Sequence, residues 1–267
     1  MITVQEFAPS PVLQDYVRFY QYSETRLANA TLFKPLPARP DQCLQFSFRE
    51  HYTVIDRASG TSSKAPPIVV IGRQTQRKID LMATGDVVTF TIHFQPAGFY
   101  RLFHVPLPEL TNLTPDAVDV VGLEISFLHE QLHHAGSQQA MVSLAETFLL
   151  RKTSRSQPFH PVQTAAASIL KRHGQVNLAA MASESNVSLR QFERVFVEQV
   201  GVPPKLFGRL ARFKHALELK HRKRHRSWAD IAYEAGYCDQ MHLIHDCNAF
   251  ADETPSALLQ TWVPCRG

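Results

Sequence analysis

The stretch that decides the fold runs from Trp228 to Pro255, WADIAYEAGYCDQMHLIHDCNAFADETP. It opens on an apolar-periodic run, Trp228, Ile231, Ala232 and Ala235, and turns at Gly236. Glycine reaches positive φ without steric cost, so a sharp corner there has a mechanism. Asp239 then stands as N-cap of a second run through Leu243, Ile244, Cys247 and Phe250. Two short helices about a tight turn make a helix-turn-helix, whose second helix fits a DNA major groove.

The device repeats roughly fifty residues upstream, in LAAMASESNVSLRQFERVF (Leu178–Phe196). Ala182 matches Ala232, and Asn186, tolerant of the left-handed region, stands where Gly236 stands. Ser188 and Gln191 have capping-box spacing, and Val187 and Phe192 that of a hydrophobic staple. Gly201 ends the helix before Pro203 and Pro204.

Together with the phrases WADIAYEAGYCDQ and Thr254-Pro255, the pair of motifs resembles the DNA-binding domain of AraC/XylS-type transcription regulators, over roughly Val162–Trp262. Three positions depart from that pattern. Cys247 stands where the family has an aromatic residue, His245 where it has arginine, and Asp252 where it has glycine. The first thins the core of the second motif, the second weakens a DNA contact, and the third is mild because aspartate tolerates the left-handed region.

A chain of 267 residues, 44% hydrophobic and 19% charged, suits a globular protein of two domains. The sequence has no apolar run long enough to span a bilayer, and MITVQEFAPS lacks the pattern of a signal peptide. A cytoplasmic location and no membrane partner are therefore expected. Cys43, Cys238, Cys247 and Cys265 have no CxxC spacing and read as reduced thiols. Residues 1–158 carry 14 Lys/Arg and 14 Asp/Glu, whereas 159–267 carry 14 and 10, so the excess of four positive charges lies in the second half. That asymmetry suits a neutral domain attached to a polyanion binder.

The fold class expected is α+β: a β-rich barrel or sandwich with a helical pair (1–150), a linker (151–158), and an all-α double helix-turn-helix domain (159–267). Pro9 and Pro11 precede an amphipathic run from Val12 to Tyr20, read as a short helix or edge segment. From Leu32 the period is two. Cys43–Phe48, Tyr52–Asp56, Pro67–Gly72, Arg77–Met82 and Asp86–Phe94 are strand candidates. In the last, Val88, Phe90, Ile92 and Phe94 alternate with Thr89, Thr91 and His93, as in a half-buried antiparallel strand. The resemblance implies a cupin-like domain here that senses a ligand or mediates association; no metal-ligand histidine cluster lies on these strands. Helical spacing returns around Phe99, Leu102 and Phe103, and two helices fit Val118–His134 and Ser137–Lys152. Their apolar stripe either forms a dimer seam or covers the sheet. Pro204–Arg226 reads as a connecting helix of roughly 20 residues and about 30 Å, near the spacing of successive major grooves.

Phe192 and Phe196 must face inward, which turns Arg190, Glu193 and Arg194 outward. Arginine pairs guanine bidentately, and glutamate accepts from cytosine. The resemblance gives the same positions base and phosphate contacts. In the second helix Gln240, Met241, Ile244 and His245 hold the matching face, glutamine suiting adenine and methionine a thymine methyl. Arg209 and Arg212 in the connecting helix suit phosphates, whereas KHRKRHR (Lys220–Arg226) suits either phosphates or simple solvation at a helix C-terminus.

Two features pull elsewhere. His129-Glu130-Gln131-Leu132-His133 is a literal HExxH, the basis of an alternative reading as a zinc-dependent hydrolase, although no further ligand motif comes after it. Cys238, His242, His245 and Cys247 also form a zinc set on paper. A third reading makes the chain a protein-interaction module. No Gly-rich phosphate loop, GxSxG or paired-carboxylate motif is present, so no catalytic residue, metal or cofactor is expected. The expected partner is double-stranded DNA. A small-molecule effector, a second copy of the chain in a homodimer and RNA polymerase are further candidates.

Overall fold

The structure is a computed structural model and describes residues 2–28 and 30–261. Cys265, expected to be reduced, lies outside them; Cys238 and Cys247 are free thiols.

Among the described residues, nine strands form two antiparallel sheets. The larger contains β1 (Ile2–Phe7), β2 (Val17–Thr25), β4 (Cys43–Arg49), β7 (Ile68–Ile71) and β9 (Val87–Phe94), in the order β1-β2-β9-β4-β7. The smaller contains β3 (Leu32–Pro35), β5 (Thr53–Asp56), β6 (Ser62–Lys64) and β8 (Ile79–Ala83), in the order β3-β8-β5-β6. The five strand candidates are present. The run from Val12 to Tyr20, read as a short helix or edge segment, begins in a 3-10 turn at Pro11–Leu13 but from Val17 is an interior strand paired on both sides. The strand lacks a clean period of two, because Phe19 and Tyr20 are both buried and the register shifts between Val17 and Phe19, and it follows closely on that turn.

β9 is buried along its whole length, not half-buried. Phe90 and Ile92 pack on the helices, while Thr89, Thr91 and His93 are covered by the smaller sheet. The polar alternation therefore marks a face turned to a second sheet, which sequence cannot distinguish from a face turned to water.

Behind the larger sheet lie α1 (Gly98–Phe103), α2 (Ala117–Val121), α3 (Glu124–His133) and α4 (Gln138–Thr153). The single helix expected over 118–134 is broken at Gly122, whose φ of 93° no helix accommodates. Ile125, Leu128, Leu132, Met141, Ala145 and Phe148 bury against Phe46, Phe90 and Ile92, so this stripe covers the sheet. α4 runs to Thr153, into the expected linker. The rest of that linker is tied down: Gln157 N donates to Arg101 O at 2.9 Å and Tyr16 Oη lies 2.9 Å from Ser156 Oγ.

The C-terminal region is helical: α5 (Pro161–Lys171), α6 (Leu178–Glu184), α7 (Leu189–Val200), α8 (Pro204–Arg222), α9 (Trp228–Glu234), α10 (Gln240–Ala251) and α11 (Pro255–Thr261). Two cores flank α8. One gathers Ile169, Phe192, Phe196 and Phe207, the other Leu210, Phe213, Leu217, Ile231, Leu243 and Phe250. α8 is shorter than expected because the chain breaks at Lys223, where Lys220 Nζ turns back onto the carbonyls of Arg224 and Arg226. Lys220 is buried beside Trp228 and is thus a structural cap. Gly208 of α8 meets Gly174 so closely that a Cβ on Gly174, whose φ is 88°, falls 2.1 Å from Gly208 O.

Candidate nucleic-acid interface

In both units the chemistry that forms the turn also aims the second helix. Asn186 and Gly236 take φ of 53° and 83°. Ser188 Oγ accepts from Gln191 N at 3.2 Å, and Asp239 Oδ1 from His242 N at 2.8 Å. Each cap satisfies an orphan amide, fixes where its helix starts, and is worth about 1 kcal/mol. A full capping box, Ser227 with Asp230, starts α9, and its S-x-x-D spacing is the local signal for it. Asp252 ends α10 in the left-handed region at φ 55°, a conformation aspartate tolerates better than most residues.

Arg190, Glu193 and Arg194 are all exposed on α7, with Phe192, Val195 and Phe196 buried beneath. Gln240, Met241 and His245 are exposed on α10, Met241 at 68%, while Ile244 is half-buried. The structure brings each set onto one open helix face. Cys247 lies fully buried in the second core, where burial pushes its thiol up to about 12.

Arg209 and Arg212 have intramolecular partners. Arg209 Nη2 donates to Asp246 Oδ1 at 2.6 Å and its guanidinium lies over Phe250. Arg212 lies over Tyr237, whose hydroxyl donates to Asp246 Oδ2 at 3.1 Å. Asp246 therefore anchors α10 to α8, a role its helical spacing does not reveal.

The HExxH residues are occupied otherwise. His129 Nε2 lies 3.0 Å from Ser47 O, and its ring stacks on Phe48 with centroids 5.1 Å apart. Glu130 is exposed. In the second set, Cys247 is buried while Cys238 is exposed. Among the described residues, no group of three or more His, Cys, Asp or Glu side chains is placed to hold a metal ion.

The N-terminal domain grips the opposite ends of both exposed helices. At α7, Tyr100 Oη donates to Glu198 Oε1 at 3.0 Å and Thr111 Oγ1 to Gly201 O at 2.9 Å. At α10, Ala38 N donates to Phe250 O at 2.8 Å, Arg57 pairs with Asp252 at 2.5 Å, and Arg77 pairs with Glu253. On α8, Lys214 Nζ donates to Asp41 Oδ1 at 3.0 Å, and Arg73 lies over Phe207. Sequence reasoning misses these residues because pairs so far apart along the chain leave no local pattern.

A cavity of about 110 Å³ lies between the two sheets, with Lys34, Arg39, Cys43, Thr91 and His93 among its lining.

Residues 181–261 match the helix-turn-helix domain family, and residues 5–116 match a domain of unknown function (DUF6597). No curated protein matches the chain. In fold, the whole chain is similar to ToxT of Vibrio cholerae. An apo ToxT variant aligns at TM-score 0.51 and 12% identity over 98% of each chain. ToxT bound to (E)-4-(8-methylnaphthalen-1-yl)but-3-enoic acid aligns at 0.50 and 10%, over 97% of this chain and 98% of that one. The DNA-binding domain of AdpA in complex with a target DNA aligns at 0.35 and 20%, over 38% of this chain and 92% of that one. The C-terminal region is thus a helix-turn-helix domain of the AraC/XylS kind, and the chain is a DNA-binding transcription regulator. No helix among the described residues is long and apolar enough to cross a membrane.

Proposed function

We propose that the chain reads one asymmetric DNA site with both units, α7 and α10 entering successive major grooves on one face of the duplex. The observation that carries this is the shared polarity of the two helices. Each presents a capped, exposed N-terminal half, and each is held at its C-terminal end by the N-terminal domain. Recognition helices contact base edges with their N-terminal residues, so docking at the other end leaves the reading surface open. α8, at 19 residues, is about 28 Å long, which suits the separation of adjacent grooves. Arg190, Glu193 and Arg194 read the first groove, and Gln240, Met241 and His245 the second. Arg209 and Arg212 serve as phosphate contacts only insofar as Asp246 and Tyr237 release them. Selection of bound sequences from a random duplex pool tests the reading: two conserved blocks about 10 bp apart support it, and one block contradicts it.

The cavity between the sheets is the effector site in this reading. Its support is the enclosed position between two sheets and the small carboxylic acid found bound in ToxT. A second copy of the chain docks on the edge of α3 where Phe127 is 69% exposed, and RNA polymerase is the machinery the bound protein controls. Sedimentation equilibrium with and without DNA tests the homodimer. The protein acts in the cytoplasm and without catalysis.

A further inference from the structure

The segment joining β3 to β4 has two sides. Leu36, Arg39 and Cys43 line the cavity. Ala38 and Asp41, interleaved with them, hold the DNA-binding domain. Ala38 is 3% exposed within the core of the second helix-turn-helix and is hydrogen-bonded to the last turn of α10. Asp41 is 6% exposed and accepts from Lys214 of α8 and from Arg18 of β2. Any molecule that moves Arg39 therefore moves residues covalently joined to both contacts.

The cavity also has a defined chemistry. Its wall on the larger sheet is polar, with Thr89, Thr91 and His93; its wall on the smaller sheet is apolar, with Val54, Ile79 and Leu81. Lys34 and Arg39 line it and no carboxylate does. Arg39 Nε is buried without a hydrogen-bond partner, and so is Nε2 of His93, a residue only 4% exposed. His93 Nδ1 lies 3.2 Å from Cys43 Sγ, and burial keeps the ring neutral, so a thiol donating to Nδ1 leaves Nε2–H free to donate. Two half-buried cations and an unused donor line a pocket that has no carboxylate of its own, Asp41 behind Arg39 being already engaged by Lys214 and Arg18, so an anion entering it finds charge and a donor to pair with. Its volume of about 110 Å³ compares with the roughly 150 Å³ that admits benzene, which limits the ligand body to a single ring or a short chain.

We infer that the cavity takes a small organic monoanion, a carboxylate paired with Lys34 and Arg39, and that residues 36–43 pass its occupancy to α8 and α10. This rests on the reading of the cavity as the effector site. Calorimetric titration of the full chain compares benzoate with benzyl alcohol, on the natural sequence and on Arg39→Gln, Lys34→Met and the conservative Lys34→Arg. Benzoate is expected to bind about tenfold more tightly or better, a preference lost in the first two variants and kept in the third. Saturating benzoate is expected to change the Kd for the selected duplex by about fivefold or more in either direction, and DNA to change benzoate affinity equally. Asp41→Asn is expected to flatten that coupling while still binding benzoate. Equal binding of the alcohol overturns the anion assignment and leaves the effector site standing; binding of neither overturns both. Benzoate binding that leaves DNA affinity unchanged overturns the role of residues 36–43.

Discussion

Asp41, in the segment entering β4, and Lys214, on the helix that joins the two helix-turn-helix units, form an ion pair at 3.0 Å across the domain boundary. Their side chains are 4% and 17% exposed. Burial disfavours the charged carboxylate, yet Lys214 and Arg18 together hold its pKa well below the usual range. The domains are thereby joined through a charge that neither can leave unpaired cheaply.

Removing the carboxylate tests that joint. Asp41→Ala removes the buried carboxylate that Lys214 and Arg18 share, leaving Lys214 its longer pair with Glu218 at 4.0 Å, and is expected to cost about 3 kcal/mol. Urea unfolding measures it, and a double-mutant cycle with Lys214→Met isolates the pair. A coupling energy near zero contradicts the joint.

Arg190 is exposed in the first turn of a capped helix, over the buried Phe192. Arg190→Ala is expected to lower specific affinity by about 1–3 kcal/mol and to relax preference at one base position. Binding assays on the selected duplex and its single-base variants decide between roles: uniform weakening on all sequences assigns Arg190 to phosphate instead.

The second groove contact is expected to be the weaker. Met241 and Gln240 carry no charge, and the third residue of the face is His245, whereas the first helix presents two arginines, Arg190 and Arg194. Substituting Gln240 and Met241 together by alanine should therefore cost less affinity than substituting Arg190 and Arg194. The reverse order in equilibrium binding would show that α10 dominates.

Much of the DNA-binding half was legible because its signals are local. Turn residues at Asn186 and Gly236, caps at Ser188 and Asp239, and the stripe of α8 each act within a few residues. The N-terminal half was legible strand by strand, but β2 was hidden behind Pro11, and nothing in β9 alone shows that Thr91 and His93 meet a second sheet. The contacts between the two domains were not legible at all. Asp41 and Lys214 lie 173 residues apart, and the partner of a charge is fixed only when the chain folds.

Acid should weaken the fold through His93. Burial, against the pull of Asp41 and alongside Arg18, Lys214 and Arg39, pushes its pKa from 6.5 down to about 3. As pH falls below 6.5 the unfolded chain binds a proton on this ring and the folded chain does not, so stability falls with pH until about 3. Asp41, with its depressed pKa, extends the loss at still lower pH. Between pH 6.5 and about 4.5 the His93 contribution is about 2 kcal/mol. Denaturant unfolding across this range should show a shallower decline in His93→Gln; identical slopes would remove His93 from the account.

The central claim is that one protomer reads two successive major grooves. Methylation and hydroxyl-radical protection of the selected duplex by the full chain tests it most directly. The account predicts two protected major-groove patches about 10 bp apart on one face, non-palindromic within that span, with Arg190→Ala weakening one patch and Gln240→Ala the other. A single protected groove, or two patches related by a two-fold axis and lost together when either helix is altered, would contradict it.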